Sequence, residues 1–243
     1  MTLLAVERTK LFTTRSAWWC SALALAVTIG FAALYASLVD GSAMSLRMTQ
    51  VGHQFGLMVV LVLAALSITT EYRFGTIRAT FLAVPNRTAA LAAKTVLVAL
   101  VAFVIGELAA FGSWVTAKVL VPGADLALRT ADDWRVVAGV GLVFALGAVL
   151  AVAVGALLRQ TAGAVTLLLL WSLLVESLVG LIPEVGPTVQ DWMPFTHAGN
   201  FLNAVSDAPS SMPLGPWGSL AYFAAIVLAV WVVAAVVVQR RDA

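Results

Sequence analysis

Six runs of apolar residues, at about 17–39, 51–68, 92–117, 136–158, 162–182 and 217–238, dominate this chain. Each is long enough to carry a helix across the roughly 30 Å hydrocarbon core of a bilayer. Lipid cannot satisfy backbone N–H and C=O groups, so runs of this kind fold as helices that close their hydrogen bonds internally. The 243 residues are 62% hydrophobic and 11% charged, where soluble domains are about a quarter charged. The chain reads as an all-α integral membrane protein, one transmembrane domain over residues 1–243, with a polar, basic segment of about sixteen residues before six spans. The first run exceeds the roughly 7–15 residues of a signal-peptide core. No convincing cleavage site precedes Asp40, and Trp18 and Trp19 suit an interfacial aromatic belt.

Charge distribution gives the orientation. On the side of the N-terminus lie Arg8, Lys10, Arg15, Arg73, Arg78, Arg87, Lys94, Arg159, Arg240 and Arg241, ten of the fourteen Lys and Arg. Arg47, Lys118, Arg129 and Arg135 lie on the other. Basic residues flanking spans stay in the cytoplasm, so both termini and the loop 69–91 are expected there. The segments 118–134 and 183–216 are expected outside. No segment between spans is long enough for a soluble core.

The loop 69–91 has its own pattern. Phe74, Ile77, Phe81 and Leu82 fall near i, i+3, i+7 and i+8, one face of a short helix. Glu71 stands at the end of the second span, Gly75 permits close backbone approach, and Pro85 ends the helix. A short amphipathic helix on that side offers a docking surface to a soluble partner. Arg73, Arg78 and Arg87 would pair there with an acidic partner or with lipid phosphate.

Two acids lie inside spans, Glu107 and Glu176. A carboxylate in hydrocarbon costs about 2.5–3.5 kcal/mol on insertion scales. Each either faces a cavity on a substrate path, where Trp114 shares a face with Glu107, or is protonated or hydrogen-bonded to a neighbouring helix. Gly147, Ala151 and Gly155 form a small-residue stripe suited to close helix packing. The outer loop 183–216 holds six of eight prolines, and within it residues 195–206 read as a short helix with Phe195, Ala198, Phe201, Leu202 and Val205 on one side.

Several chemistries are excluded. One cysteine, Cys20, allows no internal disulfide or cysteine-based metal site. His53 and His197 alone do not make a zinc site, and there is no HExxH or GxSxG. The three lysines follow Thr9, Ala93 and Ala117, so no Walker A P-loop exists. No basic stripe suggests nucleic acid. Asn86-Arg87-Thr88 matches a glycosylation sequon but on the side expected to be cytoplasmic.

Glu71-Tyr72-Arg73-Phe74-Gly75-Thr76-Ile77-Arg78, followed by Pro85, Arg87 and Lys94, resembles the E-x-x-x-G-T-(I/L)-(R/E) loop of ABC-2 type permeases. Glu7-Arg8-Thr9-Lys10-Leu11 with Thr14-Arg15-Ser16 and Trp18 is similar to that family's lead into the first span. Arg159-Gln160-Thr161-Ala162-Gly163 fits its tight turn between spans four and five. The resemblance covers the whole chain. It implies type V exporter-like architecture in a bacterial plasma membrane, with a permease dimer of twelve spans and two copies of a separate ATPase subunit that bind ATP and magnesium. This chain would then hold no cofactor and have no enzymatic site. The resemblance makes Glu71, Arg73, Phe74, Gly75, Thr76, Ile77, Arg78 and Phe81 the coupling segment, and the N-terminal segment an interfacial elbow or connecting helix. Glu107, Trp114 and Glu176 are candidates for the path of an amphipathic, drug-like or lipid-linked substrate. The competing readings are a proton-coupled secondary transporter using Glu107 and Glu176, which would usually show inverted repeats, and a membrane scaffold subunit.

Overall fold

The computed structural model describes residues 3–39, 43–84, 86–203 and 212–240. Asp40, Pro85, Val205, Asp207, Arg241 and Asp242 lie outside these residues, and so do the readings that rest on them. All regular elements among the described residues are helical, and six helices are long and apolar enough to cross a membrane.

Helix α1 (Leu3–Thr13) breaks at Thr14 into α2 (Arg15–Leu38). A short turn, Arg47–Gln50, leads into α3 (His53–Arg73), and α4 (Thr76–Ala83) follows after two residues. Then come α5 (Arg87–Leu120) and α6 (Ala131–Leu158). Helix α7 (Thr161–Leu170) continues through a π-helical turn, Trp171–Val175, into α8 (Glu176–Val179). Short α9 (Gly186–Gln190) and α10 (Pro194–Asn203) precede α11 (Pro216–Arg240). A helix stands at each of the six expected spans.

The boundaries have local causes. Asn86 Oδ1 accepts from the Ala89 N–H at 3.0 Å, so the side chain of the sequon caps α5. Thr130 and Asp133 form a reciprocal capping box at the start of α6. Arg159, at φ 55°, reverses the chain in the left-handed region, and after the single extended residue Gln160 the chain enters α7. That is the tight turn expected from the sequence. Helix α5, at 34 residues, spans about 51 Å and overshoots an apolar layer of about 30 Å. Its first two turns therefore need not lie in hydrocarbon.

Helix α6 is the centre of the bundle. Of its most apolar stretch 72% is buried, against 22% for α2 and for the α7–α8 span. It packs against α5, α3 and α11. Lipid tails are as apolar as Leu, so close packing rather than water exclusion must hold such helices together. A Cβ on Gly106 would fall 2.8 Å from the Gly141 Cα, so the α5 and α6 backbones nearly touch there. The expected small-residue stripe packs α6 onto α3: Gly147 meets Leu57, and Gly155 meets Ile68. Phe144, Leu61, Val60 and Phe223 fill the space between.

Polar cross-links mark the two ends. Thr161 bonds Thr69 at 2.9 Å and Gln239 bonds Thr88 at 2.5 Å at one end, hereafter the basic end. At the far end Gln50 donates to the Ala110 carbonyl at 3.1 Å, and the Trp114 indole donates to the Leu126 carbonyl at 2.7 Å.

Candidate functional site

At the basic end four charged side chains from three helices meet. Lys94 of α5 lies 2.5 Å from Glu7 of α1 and 2.9 Å from Glu71 of α3. Lys10 of α1 lies 2.7 Å from Glu7 and 3.2 Å from Glu71, and donates at 3.0 Å to Thr80 of α4. Glu7, Glu71 and Lys94 are buried, while the Lys10 side chain is a third exposed. Two acids and two bases leave the cluster neutral, which offsets a desolvation cost of several kcal/mol per ion. Burial alone would push the Glu7 carboxyl up, but Lys94 and Lys10 outweigh it and hold it below its ordinary value. Burial would lower the Lys10 ammonium, but Glu7 and Glu71 hold it above its ordinary value.

This cluster explains α1. Its apolar residues Leu3, Leu4, Val6 and Phe12 are all exposed; Glu7 and Leu11, one turn apart, are its buried residues. The helix docks by its charges as much as by a hydrophobic stripe. In the sequence Glu7, Lys10 and Lys94 read as members of basic flanks and of the motifs that carry the resemblance. The only local signal was the i, i+3 spacing of Glu7 and Lys10.

The segment after α3 departs from expectation. Phe74 caps α3 and Gly75 sits at φ +70°, the left-handed region that favours glycine. A Cβ on Gly75 would meet nothing within 4 Å. Within the chain the glycine thus serves the turn, not a close backbone approach. The single apolar face expected for Phe74, Ile77, Phe81 and Leu82 is split. Ile77 is buried in the core and Phe81 packs partly against it, with the Arg87 guanidinium 5.3 Å above its ring. Phe74 is 69% exposed and Leu82 86% exposed. The break at Gly75 takes Phe74 out of phase with α4, and Leu82 lies about 100° around the helix from Phe81. Ile77, and Phe81 by its covered side, therefore anchor α4 to its own chain. Thr76 bonds the Glu71 carbonyl at 3.4 Å, Arg73 lies 5.5 Å over the Phe74 ring, and Arg78 is on the exposed face.

The two span acids have different surroundings. Glu176 is buried, and its carboxylate accepts from the N–H groups of Phe195 (3.0 Å) and Thr196 (2.7 Å), the Thr196 hydroxyl (3.0 Å) and the Trp171 indole (3.1 Å). It caps the N-terminus of α10 from another element, and the π-helical turn sets its register. The opposite end of α10 is held by Arg135, which is buried, donates to the Phe201 carbonyl and pairs with Asp132 at 3.2 Å. An acid at a helix N-terminus and a base at its C-terminus both match the helix dipole. Glu107 is half-buried, its carboxyl seated in the slot that Gly141 leaves. Trp114 is spent on Leu126. Neither acid lines the far-end cavity of about 130 Å³ bounded by His53, Met58, Ser172 and Asn203.

The larger cavity, about 480 Å³, opens at the basic end beside the four-charge cluster. Among the described residues no group of three or more His, Cys, Asp or Glu could hold a metal ion. Compared with known proteins, the chain matches no family model and has no significant match among curated sequences.

Proposed function

We propose that this chain is the membrane-spanning permease subunit of an ATP-binding cassette exporter, moving an amphipathic substrate out of the cytoplasm with ATP hydrolysed on a separate subunit. The observation that carries the reading is α4 and its anchorage. A chain without a nucleotide-binding loop of its own needs a rigid surface on which a partner can push. Helix α4 is short and lies at the basic end. It is tied through Thr80 and Lys10 to Glu7 and Glu71, and through them to Lys94. Phe74 and Leu82 remain uncovered beside it. Force on α4 would pass through one neutral cluster into α1, α3 and α5. In this reading the basic end is cytoplasmic, two permease copies pair, and two ATPase subunits sit against Phe74, Arg78 and Leu82. The motif at Glu71–Arg78 supports it.

The test is co-purification with a P-loop ATPase from the native membrane, followed by reconstitution. Burying a side chain of this size contributes roughly 1.5–3 kcal/mol. Phe74→Ala and Leu82→Ala should each weaken ATPase binding about tenfold or more. Glu71→Gln should keep the complex but uncouple hydrolysis from transport. A chain that co-purifies with no ATPase, and whose function survives all three substitutions, is not this subunit.

A proton-coupled carrier is the second reading, and the observation in its favour is Glu107, half-buried in the middle of α5. Its other required acid, Glu176, is already engaged by four hydrogen bonds. Transport that persists in Glu107→Gln and without a proton gradient removes it.

A further inference from the structure

A smaller cavity at the basic end, about 10 Å³, is lined by residues of α1, α3, α4, α5 and α11. That is room for one water molecule. Its polar lining residues are Glu7, Glu71, Tyr72, Thr80 and Lys94, and the rest of its wall is apolar. Two polar atoms of these residues are buried with no hydrogen-bond partner among the described residues: Glu71 Oε2 and the Tyr72 hydroxyl. Buried polar atoms in that condition are rare in folded proteins, and here two of them belong to residues that line one small space.

The needs of the two atoms are complementary. Glu71 Oε1 accepts from both Lys10 and Lys94, while Oε2 lacks a donor. Arg159 meets Tyr72 through its ring, with the guanidinium 5.1 Å from the centroid, and a guanidinium can only donate. The Tyr72 proton therefore lacks an acceptor. Lys94 has placed two of its three N–H bonds, on Glu7 and Glu71. Glu71 and Tyr72 are successive residues of α3, about 100° apart around its axis, and do not bond each other. An occupant that serves both must donate to the carboxylate and accept from the phenol. Charge narrows the choice further. Glu7, Glu71, Lys10 and Lys94 neutralise one another. A cation of this size would add an unpaired charge beside Lys94, and an anion would face two carboxylates.

We propose that this cavity is a binding site for a single water molecule that donates to Glu71 Oε2 and accepts from the Tyr72 hydroxyl. Its second lone pair is open to the third N–H of Lys94, which gives the three hydrogen bonds typical of a buried water. Tyr72 thereby joins the charged cluster. The polar network of α1, α3, α4 and α5 then extends, through the Tyr72 ring, to Arg159 at the reversal between α6 and α7. The inference rests on the packing of the basic end, not on the export reading.

The experiment is a crystal structure of the whole chain in a lipid mesophase, at a resolution that places ordered water, together with chemical unfolding in bicelles. The expected result is one density peak within hydrogen-bond distance of both Glu71 Oε2 and the Tyr72 hydroxyl. Tyr72→Phe keeps the ring beneath Arg159 and removes only the hydroxyl. It should shift the unfolding equilibrium about three- to tenfold toward the unfolded state, the range that one net hydrogen bond supplies. A hydroxyl without a partner would leave stability unchanged or improved on removal. Tyr72→Phe and Glu71→Gln made together should cost less than the product of their separate fold-changes, because both break the same bridge. If Glu71→Gln does not fold, the density and Tyr72→Phe carry the test. Four results overturn the proposal: no peak at that position, a peak that gains anomalous signal when the buffer salt is exchanged for rubidium bromide, no loss of stability in Tyr72→Phe, or fold-changes that simply multiply. The last would mean that the hydroxyl serves Arg159 and not a shared water.

Discussion

At the basic end, Glu7, Lys10, Glu71 and Lys94 neutralise one another across α1, α3 and α5, with Thr80 adding α4. At the far end the buried charges address backbone: Glu176 caps the start of α10 and Arg135 binds the Phe201 carbonyl near its end. Both arrangements keep charge inside an apolar bundle, but they respond differently to loss of a member. A missing ion at the basic end leaves a buried net charge. A missing carboxylate at the far end leaves N–H groups without acceptors, which is a smaller and local penalty. The basic end is therefore a shared element in which any one helix feels the others, whereas the far end is a fixed platform for one short helix.

The largest expected effect is at Lys94. Lys94→Met leaves Glu7 and Glu71 with Lys10 alone, and removing one partner of a buried pair costs about 3–5 kcal/mol. Chemical unfolding in bicelles measures it, and a loss below about 1 kcal/mol would erase the contrast. Next is Glu176→Leu, which leaves the Phe195 and Thr196 N–H groups unsatisfied at about 1–3 kcal/mol. Hydrogen exchange should show α10 opening while the basic end stays protected. Glu176→Gln keeps an acceptor oxygen and should cost less than the Leu variant. If the two cost the same, the charge matters more at the far end than its geometry implies.

The smallest effect is the pH dependence of the basic end. The folded Glu7 carboxyl is held below its unfolded value, so its contribution is complete above about pH 4.3 and is lost as pH falls through the folded value. The folded Lys10 ammonium is held above its unfolded value. Its contribution is complete below about pH 10.4 and is lost as pH rises through the folded value. Stability should be flat between these limits as far as these two groups go. Glu7→Gln should blunt the acid limb, and an unchanged acid limb would mean that Lys94 and Lys10 do not hold the Glu7 charge.

The sequence by itself determined the six helices, the all-α class, the tight reversal at Arg159 and the presence of a short helix within loop 69–91, because length, hydropathy and turn chemistry are local properties; that this helix starts only at Thr76 and leaves Phe74 out came from the fold. That Gly75 stands in a left-handed turn, at φ +70°, was not legible in the sequence. Only the tertiary structure decided how the charges pair. Glu7, Glu71 and Lys94 are separated by 64 and 23 residues in sequence, and Lys94 reads alone as one more base flanking a span. Glu176 likewise reads as an acid in hydrocarbon until α10, which begins 18 residues later, brings its N–H groups to it. Periodicity reports which face of a helix is apolar. It carries no information about which polar groups from distant segments will share an interior, because that is set by how helices cross and where the small residues of α6 let them touch.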